Sequence, residues 1–155
     1  MAHKKGTLDF NNLLYKDGIA YTPFEAYRRS KLANLLFTDA LQTFFESHQI
    51  DCMAVSAHPG VSDTNLFSHL APAWLTSILR PILLLMMQPA KMGVLPELRA
   101  SVDPSTKGCD YYGPQDRNEM KGYPILVKTA NENLTKENAT KFWKASEALT
   151  SIVYS

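Results

Sequence analysis

Apolar and polar positions along the chain fall into a few distinct spacings, and each predicts an element. Residues 1–21 show no sustained period and read as irregular, with a turn signal at Lys16-Asp17-Gly18. Thr22-Pro23-Phe24-Glu25 is a helix start: Thr22 can cap, Pro23 suits the first helical position, and Glu25 can close the capping box. Ala26, Ala33, Phe37, Ala40, Leu41 and Phe44 follow near helical spacing, which predicts a helix over 22–47 with those residues on its core face. "CMAVSA", Cys52 to Ala57, is a short apolar run closed by His58-Pro59-Gly60, the pattern of a buried parallel strand. Residues 62–88 read as helical but broken, and a further helix is expected from Pro89 to Ser101. "CDYYG", Cys109 to Gly113, reads as a second short strand followed by a Pro/Gly/Asp-rich loop. A last helix is expected from Lys136 to Thr150, with Ala139, Phe142, Ser146, Leu149 and Val153 on one stripe. Helix–strand–helices–strand–helix is an α/β order, but two strands are too few for an independent doubly wound sheet.

The apolar run "WLTSILRPILLLMM", Trp74 to Met87, is shorter than the roughly 20 residues a spanning helix needs, and Arg80-Pro81 interrupts it. It reads as a buried or pocket-covering helical pair, with peripheral contact to a membrane surface left open and no transmembrane segment. Composition adds limits rather than a function. A chain of 155 residues suits one domain, and 16 basic against 15 acidic residues leave no field that calls for nucleic acid. Cys52 and Cys109 lack metal or disulfide-framework spacing and read as reduced, partly buried thiols. The opening "MAHKKGTLDF" has no apolar core and is not a secretory signal, so a cytoplasmic location is expected. The sequons at Asn133 and Asn138 read as chance matches for the same reason.

Candidate chemistry sits in the first helix. Tyr27 and Lys31 stand four residues apart, so both side chains leave the same helix face. A Tyr hydroxyl, near pKa 10, is a poor acid or base at neutral pH, and a neighbouring ammonium favours the phenolate. Such a pair can give a proton to a carbonyl, or take one from an alcohol, while a cofactor moves a hydride. Spacing by itself describes equally well a Tyr packed on a helix flank beside a solvated Lys. "HPG" by itself describes an ordinary strand-ending turn. His58 reads as a loop residue rather than a metal ligand, since no second His or carboxylate is suitably placed.

The residues around the pair extend the pattern. "AYRRSKLANLLFTDAL" closely resembles the Tyr-x-x-x-Lys helix of the short-chain dehydrogenases/reductases, nearest to the branch of retinol dehydrogenases and the WW-domain oxidoreductase. "SAHPGVSDTNL" is similar to that family's segment after its sixth strand, where Pro-Gly-x-x-x-Thr passes beside the nicotinamide. "YYGP" and "FWKASEALTSIVY" resemble the family's last strand and closing helix. The resemblance runs over essentially the whole chain in the family's order.

What the resemblance implies is specific. The expected fold is the C-terminal half of a Rossmann-type doubly wound parallel sheet, residues 1–155 forming a single partial domain without the dinucleotide-binding half. Tyr27 matches the catalytic acid/base. Lys31 matches the residue that binds the nicotinamide ribose hydroxyls and lowers the Tyr pKa. Pro59, Gly60 and Val61 match the backbone stretch along the nicotinamide, and Thr64 matches the Thr that contacts its carboxamide. No metal is expected. NAD or NADP is the implied cofactor, the choice being read by residues these 155 do not include. The segment from Leu66 to Met87 falls where the family places substrate-binding helices, so Trp74, Leu75, Ile78, Leu79 and Ile82 would wall an apolar alcohol or carbonyl substrate, although core packing explains them equally. Homo-oligomerisation through the helix over 22–47 is implied as well.

One departure bears on activity. The seven glycines are scattered, and none forms the G-x-x-x-G-x-G loop that cradles pyrophosphate in the family; the Asn-Asn-Ala-Gly segment and the catalytic Ser are missing too. The expectation is that Met1 is an internal Met of a longer protein. These residues alone would then bind dinucleotide weakly or not at all and turn over nothing measurable, and a non-catalytic relic or dimerising module stands as the alternative.

Overall fold

The computed structural model describes residues 2–16, 18, 21–61 and 88–154. Expectations for 62–88, including Thr64 and the apolar wall from Trp74 to Ile82, lie outside the described residues except at Gln88. The chain divides into two compact units: Met1–Val55 with Lys107–Cys109 and Thr129–Ser155, and Ser56–Thr106 with Asp110–Lys128.

The first unit is built on two helices, α1 (Pro23–Ser47) and α4 (Lys136–Thr150). Both start as their sequences dictate: Thr22 Oγ1 accepts from the Glu25 N–H at 3.3 Å, and Thr135 Oγ1 from the Asn138 N–H at 3.2 Å. Leu32, Leu36 and Ala40 of α1 and Ala139 of α4 form the core, with Leu8, Leu134, Phe142 and Trp143 packed against it. Trp143 stacks on Phe37 and on Phe44 with ring centroids 5.7 Å apart in each case, and its Nε1 donates to Glu147. The expected stripe of α1 is therefore corrected. Leu32, Leu35 and Leu36 are buried with Ala40, whereas Phe37 is 43% exposed, at the margin of the core. Leu149 of α4 and Val153, which lies beyond the end of the helix, are exposed, and Trp143 packs against the core instead.

A 3-10 turn, Ala2–Lys5, leads the N-terminal segment over α1. At Gly6 a Cβ would lie 2.7 Å from the Arg28 carbonyl oxygen, so only glycine lets the backbones approach this closely. Asn131 fastens the same segment, its Nδ2 donating to the carbonyls of His3 (2.6 Å) and Gly6 (3.1 Å).

The second unit carries a three-stranded sheet in the order β1 (Ser56–Ala57), β2 (Tyr111–Asp116), β3 (Lys121–Leu126). β1 runs parallel to β2, with Ser56 opposite Tyr111, and β3 returns antiparallel, with Tyr112 opposite Leu126. The loop expected after "CDYYG" is thus a hairpin strand, and the strand expected over 52–57 is reduced to its last two residues. Arg117, Asn118 and Glu119 make the hairpin turn in left-handed conformation, at φ 50, 57 and 66°. Two short helices, α2 (Ala90–Gly93) and α3 (Leu95–Val102), replace the single one expected from 89 to 101. Pro96 sits in the first turn of α3, where its missing N–H costs nothing, and it is fully buried. α3 packs on the sheet, and Arg99 secures it by donating to the Pro124 carbonyl at 2.6 Å and standing over the Tyr112 ring at 5.4 Å.

Candidate active site

Within the first unit, the capped start of α1 fixes the phase of the helix. Leu32 and Leu36 turn into the core, and Tyr27 and Lys31 come out exposed to solvent. Tyr27 is 49% exposed, and the Lys31 ammonium stands 5.3 Å from the centre of its ring. Among the described residues Lys31 forms no ion pair, so its three donors are available to another group. Ser30 shares this face but turns its hydroxyl to the Tyr27 carbonyl at 2.8 Å. An exposed phenol beside an available ammonium can hold and pass a proton at the Tyr27 oxygen, and the ammonium can meet sugar hydroxyls.

Within the second unit, Pro59, Gly60 and Val61 form a tight turn directly after β1. Gly60 has φ +68°, and a Cβ there would run into the Met120 carbonyl and the Pro114 ring. The need for glycine thus comes from close packing on the β2–β3 hairpin, a partner that the sequence alone did not suggest. The backbone of the turn is spoken for: the Gly60 N–H donates to His58 Nδ1 (3.2 Å), the Val61 N–H to the Met120 carbonyl (2.8 Å), and the Val61 carbonyl accepts from the Gln88 N–H (2.9 Å). Such a turn can present a preformed surface to a flat ring by van der Waals contact.

Gln88 and Glu119 escaped the sequence reading, and His58, read there as a loop residue without a nearby carboxylate, proves to face one. Gln88, only 4% exposed, donates from Nε2 to the Pro59 carbonyl (2.7 Å) and accepts at Oε1 from the Gly122 N–H (3.0 Å). His58, whose Nδ1 accepts from Gly60, carries its neutral-form proton on Nε2, which faces Glu119 at 3.4 Å. Glu119 is buried, and burial together with its charge pushes the Tyr111 hydroxyl well above the usual phenol range. Only a buried polar residue beside a Pro-Gly turn could have hinted at Gln88, and burial is not visible in a sequence. Thr64 lies outside the described residues.

Comparison with known proteins bears on the chain's relatives and fold. No family model matches the chain. It is 38% identical over 92 residues to dehydrogenase/reductase SDR family member 13 of Bos taurus, covering 59% of this chain and 24% of that protein. It is 27% identical over 157 residues to retinol dehydrogenase 14 of Mus musculus, covering 97% of this chain and 42% of that one. A solved structure of an uncharacterised protein from Mycobacterium paratuberculosis superposes on 100% of the chain with a TM-score of 0.75 at 29% identity, using 49% of its own length. The chain therefore spans less than half the length of these relatives. Motifs in one order, an α/β fold shared with a larger structure and relatives of one kind converge: over part of their length, the chain is similar to members of the short-chain dehydrogenase/reductase family.

Proposed function

We propose that residues 1–155 form the C-terminal part of an NAD(P)-dependent oxidoreductase acting on an apolar alcohol/carbonyl pair. The observation that carries this reading is the pairing of Tyr27 and Lys31 on the exposed face of α1, with the ammonium 5.3 Å from the ring centre. Bound nicotinamide would supply or accept the hydride. Tyr27 would give a proton to the carbonyl oxygen in reduction and take it from the hydroxyl in oxidation. Lys31 would bind the ribose hydroxyls, Pro59–Val61 would lie along the ring, and Thr64 would meet the carboxamide. An apolar substrate is supported by the run from Trp74 to Ile82 and by similarity to a protein named retinol dehydrogenase 14.

These residues hold no Gly-rich pyrophosphate loop, so by themselves they bind dinucleotide in the millimolar rather than the micromolar range and show no turnover. The test of the chemistry joins them to a dinucleotide-binding half that supplies this loop and the missing Ser. There Tyr27→Phe lowers turnover by roughly a hundredfold or more, the scale of general acid–base catalysis, and leaves cofactor affinity nearly unchanged. Retained turnover would remove Tyr27 from its role.

A second reading, homo-oligomerisation through α1, is favoured by the exposure of Phe24 (61%) on that helix. It is compatible with the first.

A further inference from the structure

Gln88 is a buried polar side chain with an unusual set of partners. Its carboxamide lies between two backbone groups, the Pro59 carbonyl at 2.7 Å and the Gly122 N–H at 3.0 Å, and its own N–H donates to the Val61 carbonyl at 2.9 Å. The orientation of the amide is unambiguous. A carbonyl can only accept and an N–H can only donate, so Nε2 must face Pro59 and Oε1 must face Gly122. One residue therefore grips the Pro59–Val61 turn at both ends and ties it to the first residues of β3. The grip matters because Gly60, at φ +68°, has no side chain with which to wedge the turn in place.

We propose that Gln88 is a positioning residue, holding the Pro59–Val61 turn in the shape on which a nicotinamide ring lies. The inference rests on the oxidoreductase reading, and it adds a residue for which no sequence pattern speaks. Gln88 would not touch the ring. It acts through the turn, keeping the Pro59 carbonyl drawn back and Gly60 close under the Met120 carbonyl, so that the face left open is flat and its polar groups are already engaged.

The test uses the 155-residue chain labelled with nitrogen-15, with millimolar NADPH or NADH as the probe. The amides of Gly60 and Val61 are followed for the ring and that of Gly122 for the clamp. Gln88→Glu is the informative substitution. It keeps an acceptor for the Gly122 N–H, while its ionised carboxylate faces the Pro59 carbonyl with no proton to share. The expected result is that Gly122 stays protected from exchange in Gln88→Glu, while the nucleotide response of Gly60 and Val61 weakens roughly tenfold or more. In Gln88→Leu both the protection and the response are lost. A response in the unsubstituted chain that survives unchanged in Gln88→Glu overturns the positioning role alone. No response in the unsubstituted chain overturns the nicotinamide reading of the turn and the positioning role with it. Should Gln88→Glu lose dispersion throughout the second unit, Gln88→Met, of similar length and uncharged, makes the same comparison. Collapse of both variants also overturns the proposal, because Gln88 would then hold up the unit rather than shape the turn.

Discussion

Cys109 shows how far a single residue's surroundings can outweigh its type. It takes the left-handed conformation, φ 66°, and its N–H donates to the Ala54 carbonyl at 2.9 Å. Both cysteines are free and exposed, which corrects the expectation of partly buried thiols. Yet desolvation of the Cys109 thiol, reinforced by the Asp39 carboxylate, pushes its pKa up from 9.0 to about 12. A raised thiol pKa means less thiolate at any pH below it. At pH 8 the thiolate fraction is roughly two to three orders of magnitude below that of an ordinary thiol. Iodoacetamide labelling of the Cys52→Ser variant, read by mass spectrometry, should therefore be slow at pH 8 and still accelerating above pH 10. A rate that levels off near pH 9 would contradict this account. Gln88 makes the complementary point. Nothing in "MMQPAK" marks the Gln, because its partners, Pro59 and Gly122, are 29 and 34 residues away.

At the scale of elements, local signals were legible and non-local ones were not. The cap of α1 stands in the chain as Thr22-Pro23-x-Glu25 and the helix begins there, and α4 starts at Lys136 as its stripe predicts. The face that α1 buries was misread because α1 is apolar on more than one side. Ala139 closes on Leu32 and Leu36, while Phe37 stacks on Trp143 at the margin of the core and stays 43% exposed. Leu32 and Leu36 are fully inaccessible to solvent, so Leu36→Ala should cost about 2–5 kcal/mol in chemical denaturation, transfer and cavity contributions together. The same change at exposed Phe37 should cost clearly less, and equal losses would refute the packing assignment. β3 was hidden for a different reason. Gly113, Pro114, Gly122 and Pro124 interrupt the alternation of both hairpin strands, and the turn between them uses Arg, Asn and Glu in conformations usually left to glycine. A strand with Pro is tolerated at the edge, where β3 lies.

For the whole molecule, the resemblance to the short-chain dehydrogenases/reductases was legible because it rests on local strings in a set order, and the α/β class followed from them. The mixed sheet was less so, since its third strand lacks the pattern of one. No described helix is long and apolar enough to cross a membrane. If α1 mediates self-association as inferred above, light scattering on the eluted chain should report a mass of about 35 kDa, twice 17.4 kDa. Phe24→Asp should return it to the single-chain mass, and a monomer at every concentration would end that reading.

The core shared by α1 and α4 also has a history in time. Leu32 and Leu36 are made first, whereas Ala139, Phe142 and Trp143, which cover them, are made more than 100 residues later. Between those two moments α1 lacks these partners, and of the residues packed on its core Leu8 is already made. A chain interrupted in that interval carries a helix whose inward leucines are uncovered on the α4 side, apolar surface open to wrong partners.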